Sequence, residues 1–238
     1  MKDREIDEIL TRAAEAPHAV DPALLDRIAG TIGPSLRPVR PRPAARVLVG
    51  GLMLISVSVA LAGAARAGFY GIHKLSAGER ALIFPALGIF IWLAAMVCVS
   101  EFIPGSRRRV APGFLLGAGS LALVAVFAVL FHDYRTDHFV SQGVVCLVAG
   151  LLHAIPTAFV SWLLLRRGFA VNSAAAGLVV GTLAALAGVT MLELHCANLQ
   201  AWHVIVWHTA VIPVSAVAGG LLGLRFQTGS RDKDLPTG

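Results

Sequence analysis

Residues Val171–Leu192, VNSAAAGLVVGTLAALAGVTML, run for 22 residues without one charged side chain. At 1.5 Å per residue, a helix of that length spans about 33 Å, enough to cross a hydrocarbon core ~30 Å thick. Working outward, five more apolar runs of about 20 residues or more lie at Val47–Ala65, Ala81–Phe102, Val110–Phe131, Val140–Leu165 and Val204–Leu224. The chain as a whole agrees: 14 % of its residues are charged and its mean hydropathy is +0.74, against roughly 25 % charged in a soluble domain. The predicted fold is all-α, a six-helix transmembrane bundle with a short helical cytoplasmic N-terminal segment. A net charge of +6 and a pI of 9.9 would suggest nucleic acid in a soluble protein, but in a membrane protein basic residues chiefly report topology. Direct nucleic-acid binding is therefore not expected. The first apolar run begins only at Val47 and is too long for the core of a removable signal peptide.

Counting lysines and arginines outside the spans gives orientation. The N-terminal region, the Arg107–Arg109 loop, the Arg166–Arg167 loop and the C-terminal tail hold 16, whereas the other side holds four, Arg66, Lys74, Arg80 and Arg135. The positive-inside rule then places both termini in the cytoplasm. Glu101 and Glu193 fall at span ends, and the lack of a mid-membrane charge argues against an ion-coupled transporter. The pairs Gly113/Gly117, Gly177/Gly181 and Gly219/Gly223 have the spacing that lets helix backbones approach closely.

Four segments follow from composition: 1–35, an amphipathic helical region; 36–46, a linker; 47–225, the membrane domain; and 226–238, a cytoplasmic tail. Within the first, Asp3–Glu15 carries Ile6, Ile9, Leu10 and Ala13 on one face. After Pro17, Asp21 can cap a second helix that opens with Pro22 and aligns Leu24, Leu25, Ile28 and Ile32. Helices this short need a surface to cover, so the stripe is a candidate partner-docking face. The linker LRPVRPRPAAR, Leu36–Arg46, holds four arginines and no acid, a composition suited to an extended chain against anionic headgroups.

Glu193–His208, ELHCANLQAWHVIVWH, interrupts the last two spans and contains one of three cysteines and three of eight histidines. With His73, His132 and His138 it makes the predicted outer face rich in imidazole, a zinc and copper ligand. Spacing argues against a metal site: His203 and His208 are five apart, about 140° around an α-helix, and no CxxC or HxxxH pair is present. Trp202 and Trp207 read as interfacial anchors. Cys146 and Cys196 both fall near the outer face. They are either small buried hydrophobes or a thiol pair facing an oxidising compartment. Cys98 falls near the cytoplasmic end of the second span.

The LRPVRP block with Pro38, Arg40 and Pro41, the LHC element Leu194–Cys196 and the Trp207–His208 pair together resemble the multi-spanning anti-sigma factors of the NrsF type (negative regulator of sigma F), over about Val20–Arg225. The resemblance implies a bacterial inner-membrane protein that holds an extracytoplasmic-function sigma factor inactive and releases it on an envelope signal. Cys196 matches that family's outer-face cysteine and Cys146 a second one, which makes Cys146, Cys196 and the adjacent His195 the sensing candidates, for oxidants or heavy metals. Ala197 stands where the family often has proline, and Asp3–Glu15 looks like an addition. No HExxH, GxSxG or phosphate-binding loop is present, so neither an enzyme nor a resident cofactor is expected. The competing expectation is a small membrane oxidoreductase or metal-binding protein using the outer histidines. The expected partners are the sigma factor and the lipid bilayer.

Overall fold

The computed structural model describes Thr11 and residues 22–32, 43–103, 110–165 and 172–231, and the chain divides into two units, Met1–Arg42 and Pro43–Gly238. In the first unit, helix α1 covers Pro22–Ile32. Pro22 occupies its first position, where the missing N–H has no intrahelical partner to lose. Leu24, Leu25 and Ile28 are all exposed, by 44–52 %. The Asp3–Glu15 helix apart from Thr11, the Asp21 cap, the Pro38, Arg40 and Pro41 block, and the two arginine loops lie outside the described residues.

The second unit contains α2 (Ala45–Ala67), α3 (Tyr70–Lys74), α4 (Ala77–Phe102), α5 (Pro112–Leu130), α6 (Phe139–Leu165), α7 (Ser173–His195), α8 (Ala201–His203), a π-turn at Val204–His208, and α9 (Thr209–Arg231). No strand occurs among the described residues. Among the described residues, six helical stretches are long and apolar enough to cross a membrane: α2, α4, α5, α6, α7 and the composite Ala201–Arg225. This is a multi-pass, all-α architecture, and each expected span boundary lies within four residues of the observed one. The sixth span differs in kind, because it starts at Ala201 and includes a turn that is not α-helical.

Helix α7 is the axis of the bundle. Its membrane window is 72 % buried, against 17–44 % for the others, and it packs on every one of α2 to α6 and on α9. Its sequence explains that position: Ala184, Ala185, Ala187 and Gly188 give it a thin waist, and all four are buried. Its larger side chains, Leu183, Met191 and Leu192, are almost wholly enclosed. Large apolar side chains on other helices, such as Leu54, Leu121 and Val129, stay 69–71 % exposed, as lipid-facing residues do when hydrocarbon is the solvent.

The closest approach is between α7 and α9. A Cβ on Gly177 would overlap the Gly219 carbonyl, one on Gly219 the Gly177 carbonyl, one on Gly181 the Ser215 carbonyl, and one on Gly223 the Ser173 carbonyl. Two of the three glycine pairs therefore sit in a backbone-to-backbone contact. Gly113 and Gly117 do not: nothing lies within 4 Å of a Cβ built at either, because α5 is the least buried span. A third contact of this kind, which has no glycine-pair spacing to announce it, joins α6 and α7, where a Cβ on Gly188 would overlap the Gly150 carbonyl.

Gly219→Val must push α9 off α7 or distort both. It is expected to destabilise the detergent-solubilised protein by about 1–3 kcal/mol, read as a lower melting temperature. Gly113→Val, in open space, is expected to leave that temperature unchanged.

Candidate functional site

Three connections meet at one end of the bundle. Helix α2 ends at Gly68, whose φ of 102° favours glycine, and the Gly68 carbonyl accepts a 2.9 Å hydrogen bond from His195 Nδ1. Lys74 Nζ, at the end of α3, donates to the Ala197 carbonyl at 3.1 Å. Gly71 presses on the backbone of Glu193 and Cys196, leaving no room for a Cβ. From the second connection, the Asp133 carbonyl accepts the Ala201 N–H at 2.7 Å. The Arg135 guanidinium grips the Asp133 carboxylate at 2.8–2.9 Å. That hydrogen bond holds the Asp133 carboxyl below the usual range. From α6, Gln142 accepts from Asn198 Nδ2 at 2.8 Å. Residues 196–200 are the only non-helical part of the Glu193–His208 stretch, and they are pinned on three sides.

Inside this frame four side chains converge. Cys146 projects from α6, Cys196 caps the C-terminus of α7, and their Sγ atoms lie 3.6 Å apart as free thiols. His203 Nε2 lies 3.5 Å from Cys196 Sγ. The His203 and His208 rings meet edge to face with centroids 5.3 Å apart. One candidate ligand atom from each of Cys146, Cys196, His203 and His208 lies within 4.8 Å of all the others. His208 Nδ1 is 2.6 Å from Glu193 Oε1, with both side chains about 1 % exposed. Cys196 is buried, and Cys146 is the more accessible sulfur. The hydrogen bond to Cys146, and then burial, push the Cys196 thiol above its ordinary value, against the lowering effect of His203 and His208. Cys196 thus tends to keep its proton.

The separation of about 140° expected for His203 and His208 holds only on a regular α-helix. The chain instead forms a π-turn over Val204–His208, and i→i+5 hydrogen bonding brings residues five apart onto one face. Two features of the sequence accompany the turn. Pro213 has no N–H to offer Thr209, four residues back, and the Thr209 hydroxyl donates to the Ile205 carbonyl. Proline one turn beyond a histidine pair was the available signal.

The other predicted residues divide clearly. Cys146 and Cys196 are together. His195 points the other way, to Gly68 and to the Tyr70 ring at 5.8 Å, so it fastens α7 to α3 rather than joining the thiols. His208 belongs to the cluster. Its neighbour Trp207 lies over Gly143, where a Cβ would overlap the indole, and 5.5 Å from the Phe139 ring. Trp207 is therefore half-buried against α6, while Trp202 remains 45 % exposed in an anchor's position. His73, His132 and His138 are exposed and stand apart from the cluster. His153, deeper in α6, gives its Nδ1 proton to the Ala149 carbonyl at 2.8 Å. Glu193 and His203 are the members that sequence reading did not select.

No curated protein and no solved structure matches the chain. Residues 34–227, most of the sequence and all six apolar helices up to α9 Arg225, match the family described as NrsF, negative regulator of sigma F, and the chain belongs to that family.

Proposed function

We propose that this protein is a bacterial inner-membrane anti-sigma factor that holds an extracytoplasmic-function sigma factor through its N-terminal segment and reads the far side of the membrane through Cys146 and Cys196. The family supports negative regulation of a sigma factor and suggests a regulator rather than an enzyme. The finer reading rests on one observation: two cysteines 50 residues apart in sequence meet at 3.6 Å, beside connections that carry few basic residues. The positive-inside count assigns that end to the outside, where thiols meet an oxidising compartment. Joining the two sulfurs transfers two protons and two electrons to an external oxidant. It shortens their separation by about 1.5 Å, to the ~2.05 Å of a disulfide. The movement ties the start of α6 to the end of α7, the helix on which the bundle is packed.

In the N-terminal unit, α1 offers Leu24, Leu25 and Ile28, with Ile32 one turn further along the same stripe. An amphipathic helix of this kind fits an apolar groove on a partner, and covering the sigma surface that meets core RNA polymerase keeps sigma inactive.

Full-length protein solubilised in detergent is expected to co-purify with its sigma factor, and Leu25→Asp with Ile28→Asp to release it without lowering the amount of membrane-inserted protein. Retention of sigma by that double variant would move the docking face elsewhere. In cells, Cys146→Ser and Cys196→Ser are each expected to remove the response of a sigma-dependent reporter to oxidant or heavy metal while leaving basal repression intact. An undiminished response in both variants would reduce the thiols to packing.

A further inference from the structure

A thiol pair alone does not account for what surrounds it. His208 uses Nδ1 on Glu193, which leaves Nε2 as the nitrogen it can offer the cluster, and this atom is buried without a hydrogen-bond partner. His203 is fully buried, with Nε2 toward Cys196 and Nδ1 unpartnered. Glu193 Oε2, also buried, has no partner. Buried polar atoms are normally satisfied, and leaving one orphaned costs about 1–3 kcal/mol. An orphaned imidazole nitrogen beside two sulfurs, on a histidine backed by a carboxylate, describes a site shaped for something positively charged. A disulfide would use the sulfurs and leave His208 Nε2 as it is.

We propose that Cys146 Sγ, Cys196 Sγ, His203 Nε2 and His208 Nε2 bind a single thiophilic divalent cation of the Zn2+ and Cd2+ class, with Glu193 orienting His208 from behind. The dimensions agree. Metal–sulfur bonds near 2.3 Å and metal–nitrogen bonds near 2.0–2.1 Å in a tetrahedron separate ligand atoms by roughly 3.3–3.8 Å. The measured S···S and S···N distances are 3.6 and 3.5 Å, and no ligand pair exceeds 4.8 Å. An S2N2 set selects zinc-like ions and rejects Mg2+ and Ca2+, which take oxygen ligands. The Glu193–His208 pair has the arrangement in which a carboxylate fixes the tautomer of a ligating imidazole and raises its basicity. Binding displaces the two thiol protons, so the cation and two thiolates are neutral together, and the Glu193 carboxylate keeps its partner in His208 Nδ1. Entry is from the Cys146 side, the one ligand of the four that is not buried. Metal binding stands on this geometry alone. That occupancy is the inducing signal rests on the regulator reading above.

The test uses the full-length protein in detergent, reduced and stripped with chelator, then titrated separately with Zn2+ and Cd2+. One ion per chain is expected, with at least two protons released at a pH where both thiols start protonated. His203→Ala and His208→Ala are each expected to weaken binding by at least ~10-fold, and Glu193→Gln by ~10–100-fold. His203→Cys, which restores a soft ligand, is expected to recover Cd2+ binding and guards against misfolding of the alanine variants. No stoichiometric binding by the reduced wild type would overturn the proposal. So would equal affinity in wild type and both histidine variants, which would mean a two-thiol site without imidazole. A reporter assay separates the two readings. Metal binding as expected, with an inducer response that survives Cys146→Ser, keeps the site and discards its regulatory role. A response lost in Cys146→Ser, with no metal bound by the purified protein, keeps the thiol sensor and discards the cation.

Discussion

The contact on which the rest of this structure depends is the one between the backbones of α7 and α9. In lipid, apolar burial gives little drive for two helices to associate, so affinity has to come from close packing and polar contacts. Gly177, Gly181, Gly219 and Gly223 supply the first by removing the Cβ atoms that would hold the two backbones apart. With the helices locked at that end, α9 has one direction in which to continue toward the cluster end. His208 arrives there against Glu193, fifteen residues earlier in the sequence and in the last turn of α7. The glycines place the Glu193–His208 pair without touching it.

That pair is costly to bury. Desolvating a carboxylate and an imidazole costs several kcal/mol, and their mutual attraction repays it only when the geometry is good and the remaining polar atoms are satisfied. Here the separation is 2.6 Å, but one atom on each partner has nothing to bond. A half-satisfied buried network is a poor stabilising device compared with apolar packing. Its presence beside two thiols and a second buried imidazole is more economically read as a site than as a structural element.

How much of this could be read beforehand depended on which period governed each residue. The six spans were legible because membrane crossing requires only length and apolarity, and Val171–Leu192 meets both without a charge. The central position of α7 was half legible: its Gly177/Gly181 pair suggested close packing, but Gly113 and Gly117 carry the same spacing and face outward, so spacing alone does not distinguish a buried stripe from an exposed one. The convergence of Cys146 with Cys196 followed from their similar depth. The histidines were misread, since the 140° separation holds only if the helix keeps its α-period, and the π-turn abolishes it. Local departures from α-helical hydrogen bonding occur often at functional sites, and a histidine pair five apart with proline close behind is where that alternative belongs. Glu193 looked like a charge at a span end, and its partner was visible only in three dimensions.

The unequal settings of the two sulfurs give the site an order of events. Cys146 is partly accessible, whereas Cys196 is enclosed and tends to keep its proton. Because the thiolate is the reactive form of cysteine, both as nucleophile and as ligand, an agent entering the site meets Cys146 first and engages Cys196 only once Cys196 has lost its proton. For an oxidant, the second step is closure of the disulfide; for a cation, it is completion of a four-atom shell that also recruits His203 and His208. In the readings proposed above, the two outcomes would pull on different elements. A disulfide would link α6 to the end of α7 and leave the π-turn alone, whereas a bound ion would engage the π-turn and with it the start of α9. Between Ser215 and Gly223, α9 meets α7 by backbone contact, so a displacement at the π-turn would find few soft side chains there to absorb it.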